Sequence, residues 1–271
     1  MPQKATLKIG IAGLGTVGRE VARRLVAGIP GLVLTAVAVR DVDKAKRELT
    51  WLDGNVTFVP ARELAVHCDV VVECLPPALF KEVGLSTIEQ GRIFMPLSVG
   101  RLLENPDLID RAKETGARIL VPSGALLGLD AVRAAAEAGI RSVKMVTRKP
   151  PAGLEGAPYL VERNISLAGL AEPRKVFEGS AREGARGFPA NVNVAAALGL
   201  AGIGPDRTQL EIWADPTVTR NTHTITVDAD AARFTMTIEG VPSENPRTGK
   251  LVAPSTIAAL RGLVSELKVG S

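Results

Sequence analysis

The sequence predicts an α/β protein in two parts: a parallel sheet wrapped by helices on both faces, then a smaller α+β region with a mainly antiparallel sheet. Three observations lead there. From Leu7 to about Pro122 short apolar runs alternate with stretches of helical periodicity; those early runs are apolar almost throughout; and after Arg207 three successive runs alternate apolar side chains with Thr and charged ones. Continuous apolar strands are buried on both faces, as in βαβ units, whereas strict alternation marks a sheet with one solvated face. The expected boundaries are 1–122 for the first domain and 123–245 for the second, with a closing helical segment, 246–271, rejoining the first.

The strand-like runs of the first part are LKIGIAG, LVLTAVAV, NVTFV, CDVVVECL, RIFMPLS and ARILVPS. Between them TVGREVARRLVAG, DKAKRELTWL, ARELAVH, PPALFKEVGLSTIEQG and NPDLIDRAKETG carry helical spacing or helix-start and helix-stop residues. In the second part GLDAVRAAAEAG reads as a helix, RSVKMVTRKPP as a strand ended by its prolines, and NVNVAAALGLAGIG as a helix of small residues. DRTQLEIWADP, NTHTITVDAD and ARFTMTIEG then read as three antiparallel strands in succession, and PSTIAALRGLVSELK as an amphipathic helix begun by Pro254 and Ser255.

Composition narrows the function. With 271 residues, 46% hydrophobic and 23% charged, the chain has ordinary globular character and enough apolar content for a sizeable core. No run approaches the roughly 18 apolar residues that cross a bilayer, and the first residues lack a secretory pattern. A cytoplasmic protein without a membrane partner is expected. Its 33 Lys and Arg against 29 Asp and Glu give +4, but the basic residues are scattered, which suits small anions better than nucleic acid. Cys68 and Cys74 flank an apolar run without metal-ligand spacing, so no metal site is expected. The two histidines are His67 and His223, so imidazole chemistry has few candidates.

The most specific local motif is Gly13-Leu14-Gly15-Thr16-Val17-Gly18, which follows a strand and opens a helix. In the Rossmann fingerprint the first glycine permits the tight turn, the second lets backbone approach a pyrophosphate, and the third lets helix and strand pack closely. The next strand ends at Arg40-Asp41, where a dinucleotide's ribose is read. Asp41 suits the hydroxyls of NAD and Arg40 the 2′-phosphate of NADP, so NAD or NADP is the expected cofactor. The loops Cys74-Leu75-Pro76-Pro77 and around Ser98 follow the fourth and fifth strands and belong at the nicotinamide side, by the rule that ligands lie beyond strand carboxyl ends. Pro122-Ser123-Gly124-Ala125-Leu126 leads into the second domain either as a plain turn or as a backbone contact for a planar ring. His223 shares a strand face with Ile225 and Val227, so it points inward, either as a core histidine or as a general base. His67 falls at a helix-to-strand turn and is expected to be exposed.

GLGTVG, PSGALLGLDA, FPANVNVAAALGLAG, DPTVTRNTHTI and NPRTGKLVAPSTIAAL occur in that order over almost the whole chain. Together they resemble the L-aspartate dehydrogenase family. The resemblance implies NAD or NADP on a Rossmann domain, and oxidation of L-aspartate to iminosuccinate, which hydrolyses to oxaloacetate and ammonia or feeds NAD biosynthesis. It also implies a homodimer formed through the second domain. It makes His223 the catalytic histidine and places Ala125 and an asparagine, Asn191 or Asn193, at the nicotinamide. Candidates to hold the substrate carboxylates are Arg148, Lys149, Arg163, Arg220 and Lys250. Dihydrodipicolinate reductases carry paired histidines that this chain lacks, and the lysine and acidic pattern of homoserine dehydrogenases is not found. A non-catalytic NAD(H) sensor would keep the glycines without needing an inward histidine.

Overall fold

A computed structural model describes residues 6–52, 54–189, 192–243 and 249–270. The chain divides into two compact units, Met1–Pro122 with Ala253–Lys268, and Ser123–Val252 with Val269–Ser271. The return to the first unit thus comes at Ala253, seven residues later than the 246 read from sequence.

The first unit runs β1 (Leu7–Ala12), α1 (Thr16–Val26), β2 (Leu32–Ala38), α2 (Val42–Glu48), β3 (Thr57–Phe58), α3 (Leu64–His67), β4 (Val70–Glu73), α4 (Phe80–Glu89), β5 (Ile93–Pro96), α5 (Val99–Glu104), α6 (Asp107–Thr115) and β6 (Arg118–Ile119). Its six strands form a parallel sheet in the order β3-β2-β1-β4-β5-β6. The order reverses between β1 and β4, the doubly wound arrangement. Both faces are covered, which is why β1 and β4 need apolar residues at consecutive positions. On one face Ile9, Ile11, Val21 and Leu25 pack with Ile257 and Leu260; on the other Val71 packs with Phe80, Val83, Phe94 and Leu108.

The second unit adds α7 (Leu129–Ala138), β7 (Ile140–Lys149), α8 (Pro158–Glu162), β8 (Arg174–Ser180), α9 (Ala181–Gly187), α10 (Asn193–Ala201), β9 (Thr208–Ala214), β10 (Asn221–Ala229) and β11 (Arg233–Gly240). The last helix, α11 (Val252–Gly262), lies in the first unit for all but its first residue. The second sheet runs β11-β10-β7-β9-β8, with one parallel pair, β7 and β9, among antiparallel ones. β9 and β10 are therefore not neighbours, although they follow each other in the chain: β7 lies between them and pairs with both. The alternation of β9 and β10 was legible, but it cannot reveal which strand enters the gap. Helix α7 packs against β10, and α9 and α10 against β9, so this sheet has one covered face.

Other departures from the sequence reading are local. NVTFV and ARILVPS shrink to the two-residue strands β3 and β6 at the sheet edges. The PLSVG segment opens a short helix, α5, instead of remaining a loop. Strand β8 and helices α8 and α9 complete the second unit; α9 starts with a capping box in which Ser180 and Glu183 satisfy each other's backbone N–H groups. Phe177, Phe188 and Tyr159 meet there as an aromatic trio with ring centroids 5.2–5.6 Å apart.

Candidate active site

The dinucleotide motif sits at the reversal point of the first sheet. Gly13 has φ +96°, which an L side chain resists, and a Cβ there would lie 2.6 Å from the Cys74 carbonyl oxygen. Its N–H donates to the Ala38 carbonyl, while the Cys74 N–H donates to that of Ala12, so β1, β2 and β4 end together. A Cβ on Gly18 would fall 2.0 Å from the Gly13 oxygen, so α1 can approach the turn only with glycine. Around Gly15 the situation is reversed. Its Cβ would meet nothing within 4 Å, and it precedes α1 without any side-chain cap. The helix thus presents its free N–H groups and partial positive charge beside open space, which fits a pyrophosphate. Thr16 is exposed as the first residue of α1, and Val17 packs on the core.

Arg40 and Asp41 follow β2 and are both exposed. Asp41 caps α2, its Oδ1 accepting the Lys44 N–H at 2.9 Å. One carboxylate oxygen therefore has a structural partner, which sequence alone did not disclose.

Between the loops that follow β4 and β5 lies a buried carboxylate, Glu73, at 0% exposure. It accepts the Leu75 N–H at 2.8 Å, and the Ser98 N–H and hydroxyl at 3.1 Å each. Burial pushes its pKa up despite these bonds, which act in the opposite direction. Glu73 ties together the two loops assigned to the nicotinamide side, a role its place at the end of an apolar strand did not announce.

The second unit carries a polar cluster on the covered face of its sheet. Alternation sends Val143, Met145, Thr147 and Lys149 of β7 inward, with Asn221, His223, Ile225 and Val227 of β10. In the antiparallel register His223 lies opposite Thr147, and the Thr147 hydroxyl is 3.0 Å from His223 Nδ1. Both are 3% exposed and Lys149 is 4% exposed. Burial, joined by the charge of Lys149, drives the His223 pKa down to about 3, so the imidazole is neutral at physiological pH. Burial alone lowers Lys149 to about 8, which leaves it mostly charged at neutral pH. A neutral imidazole has one donor and one acceptor nitrogen. When Nδ1–H donates to Thr147, the lone pair of Nε2 is free to take a proton.

The end of β7 is anchored beside this cluster. The Asp215 N–H donates to the Lys149 carbonyl at 2.8 Å, and the Asp215 carboxylate accepts from the Thr217 N–H and hydroxyl and from Arg148. Burial raises the carboxyl pKa, but these donors outweigh it and hold it below the ordinary value.

Ala125 occupies a turn closed by the Leu126 N–H on the Ser123 carbonyl, with Gly124 at φ +64°. Asn193 is the half-buried first residue of α10; Asn191 lies outside the described residues. His67 ends α3 and is exposed. Among the described residues no cluster of His, Cys, Asp and Glu is arranged to hold a metal, and no helix is long and apolar enough to cross a membrane. Thr147, Lys149, Asn221 and Glu73 were not assigned to the site from sequence, although Lys149 stood among its five cationic candidates. The period-2 alternation of RSVKMVTRK held the signal for the first two.

A glycine-rich turn shaped for a pyrophosphate and a buried neutral imidazole with an oriented ring define the class as a dinucleotide-dependent oxidoreductase. Comparison with known proteins narrows it. Residues 130–263 match the family described as aspartate dehydrogenase, C-terminal, and residues 13–122 that described as homoserine dehydrogenase, NAD binding domain. L-aspartate dehydrogenase 3 of Bordetella bronchiseptica is 52% identical over 272 residues, covering 100% of both chains. The L-aspartate dehydrogenase of Bradyrhizobium diazoefficiens is 53% identical, over 98% of this chain and 94% of its own. The crystal structure of aspartate dehydrogenase from Thermotoga maritima shares the fold with a TM-score of 0.74 at 24% identity, over 97% of this chain and 99% of that one. The chain belongs to the aspartate dehydrogenase family.

Two outcomes are expected from this geometry. Gly15→Val should leave the urea midpoint near that of wild type while NADH affinity, read by fluorescence titration, falls about tenfold or more, whereas Gly18→Ala should lower both. Separately, His223 has a folded pKa below its unfolded value of about 6.5, so the stability it contributes is present above that pH. It is lost as pH falls from about 6.5 towards 3, because only the unfolded chain takes up the proton. Urea melts of His223→Gln and wild type should therefore converge, or cross in favour of the variant, as pH drops from 7 to about 4; parallel curves over that range would refute the assignment.

Proposed function

We propose that this chain oxidises L-aspartate to iminosuccinate with His223 as general base, using NAD or NADP. The bound nicotinamide supplies the acceptor for the hydride that leaves the substrate Cα. The remaining chemistry is proton handling. An ammonium cannot form an imine, so the substrate nitrogen must lose a proton before or as the Cα–H bond breaks and the C=N bond forms. His223 Nε2 takes that proton, with Nδ1–H held by Thr147. The same imidazole then assists water addition at the imine carbon, which releases ammonia and oxaloacetate. The observation that carries this reading is a buried neutral imidazole with one nitrogen engaged and the other available.

Gly13, Gly15, Thr16, Val17 and Gly18 form the pyrophosphate turn in this reading. Arg40 and Asp41 read the ribose, and Ala125 with Asn191 or Asn193 contacts the nicotinamide. A cytoplasmic homodimer formed through the second unit, and a role in NAD biosynthesis, belong to the same proposal. The family resemblance supports all three, and the uncovered sheet face, on which Thr224 pairs with Thr237 and Thr226 with Thr235, supports the homodimer. Sedimentation of the purified chain at the mass of two copies is the expected result; the mass of one copy would remove the dimer.

The direct test follows NADH or NADPH formation at 340 nm with L-aspartate, beside D-aspartate, L-glutamate and L-homoserine. Turnover confined to L-aspartate is expected, and His223→Ala should reduce it about a hundredfold or more without weakening NADH binding. NADH binding with no turnover of any amino acid would favour a sensor instead.

A further inference from the structure

We propose that Lys149 receives a carboxylate of the dicarboxylic substrate, and that this pairing is what makes His223 an effective base. The inference rests on the aspartate reading above and names the residue of the same site that recognises the substrate's charge.

The geometry begins with register. Thr222 pairs with Arg148 and His223 with Thr147 across β10 and β7, so Lys149, one residue beyond the Arg148 pair, lies on the covered face with Thr147 and next to Asn221. Arg148, on the opposite face, is engaged with Asp215 at 3.0 Å and stacks over Trp213 at 4.7 Å. Of the five cationic candidates, Lys149 alone is buried; Arg163 and Lys250 are exposed, Arg220 is exposed beside Glu239, and Arg148 is half-buried.

Among the described residues few other charges face the imidazole. Its neighbours on β10, Asn221 and Ile225, are uncharged, as is Ile238, its partner on β11. Helix α10 carries no charged residue, and Asp130, Arg133 and Glu137 of α7 are exposed. Among the described residues the charge that acts on His223 is that of Lys149.

This arrangement has a chemical consequence. Burial, and after it the ammonium of Lys149 on the same face, opposes the proton the imidazole must accept, so in the free protein His223 is a poor base. A carboxylate seated on Lys149 cancels that repulsion and adds a negative charge nearby. At an effective dielectric constant of about 20, one unit charge about 6 Å away changes proton affinity by about a hundredfold. The base is thus strengthened when the anionic substrate is in place, and the charge that selects a dicarboxylate also governs the proton transfer. Lys149 is a binding and positioning residue in this account; His223 remains the group that takes the proton.

The experiment follows His223 directly. With 15N-labelled histidine in the full chain and NADH present, the His223 imidazole is followed from pH 8 down to the onset of acid unfolding. Succinate, a dicarboxylate without an amine, is the probe. In wild type it should raise the proton affinity of His223 about tenfold or more. In Lys149→Met free His223 should already protonate at higher pH, succinate should add little, and the KM for L-aspartate should rise about thirtyfold or more. Lys149→Arg should retain the succinate response, and Lys149→Gln serves should the methionine variant fail to fold. A succinate response in Lys149→Met equal to that of wild type overturns the proposal while leaving aspartate turnover, and hence the enzyme reading, intact. A wild-type response that Lys149→Met abolishes, in a protein that does not oxidise L-aspartate, supports the Lys149 pairing and removes the aspartate reading alone.

Discussion

The second unit depends on the pairing of β7 with β10. That register brings Thr147 opposite His223 and sets Lys149 beside both, on a sheet face otherwise filled by Val143, Met145, Ile225 and Val227. A slip of β10 by one residue against β7 would turn the imidazole to solvent and carry Thr222 and Thr224 to the covered face in its place. The apolar residues along the two strands therefore orient the polar ones at their ends. Asp215 secures this end of the sheet from outside, joining β9 to β7 through the Lys149 carbonyl and Arg148. Chemistry and packing share one alternation, and the site lies where the apolar part of the face gives way to polar side chains.

The first unit solves a different problem, that of bringing backbone close to a charged ligand without leaving buried polar groups unpaired. Gly13 and Gly18 remove side chains where backbone meets backbone, and Gly15 leaves space where a ligand must come in. Glu73 performs the complementary task one strand away. Its carboxylate gathers donors from the loops after β4 and β5, which holds two separate connections in one arrangement. Burial opposes the charge that such an acceptor-only site favours, so Glu73 sits under electrostatic tension of the kind that gathers near functional clefts.

Much of this was legible in the sequence, and what was not has physical reasons. The near-continuous apolar runs through Ile9 and Val71 specify a covered parallel sheet because both faces of each residue pair must be buried. The spacing from Gly13 to Gly18 specifies the turn because each glycine answers a separate steric demand. His223 was placed inward by its spacing from Ile225 and Val227. Strand order was not legible, because β7 is separated from β10 by more than seventy residues and nothing local says which partner fills the gap. The distant partners of Glu73 and Asp215, Ser98 and Arg148, escaped for the same reason: a hydrogen bond between remote segments leaves no periodic trace. Lys149 stood in view as one cation among several, and only burial separated it from Arg148, its neighbour on the opposite face.

The burial of Lys149 and His223 together is a pairing that stability alone would not favour. An ammonium and an imidazole on one face each lose solvation, and the ammonium disfavours a proton on the imidazole, so an apolar pair of similar volume would pack there at less cost. Thr147 fixes the ring without relieving the charge. Such an arrangement is understandable where a third, negatively charged group completes it transiently, and an amino acid with two carboxylates and an ammonium has the required composition. In the proposed complex its carboxylate pairs with the lysine, and its ammonium gives the histidine the proton that the lysine would otherwise repel. The tension in the free protein and the proton transfer in the complex then have one origin, the placement of positions 147, 149 and 223 on one side of one sheet.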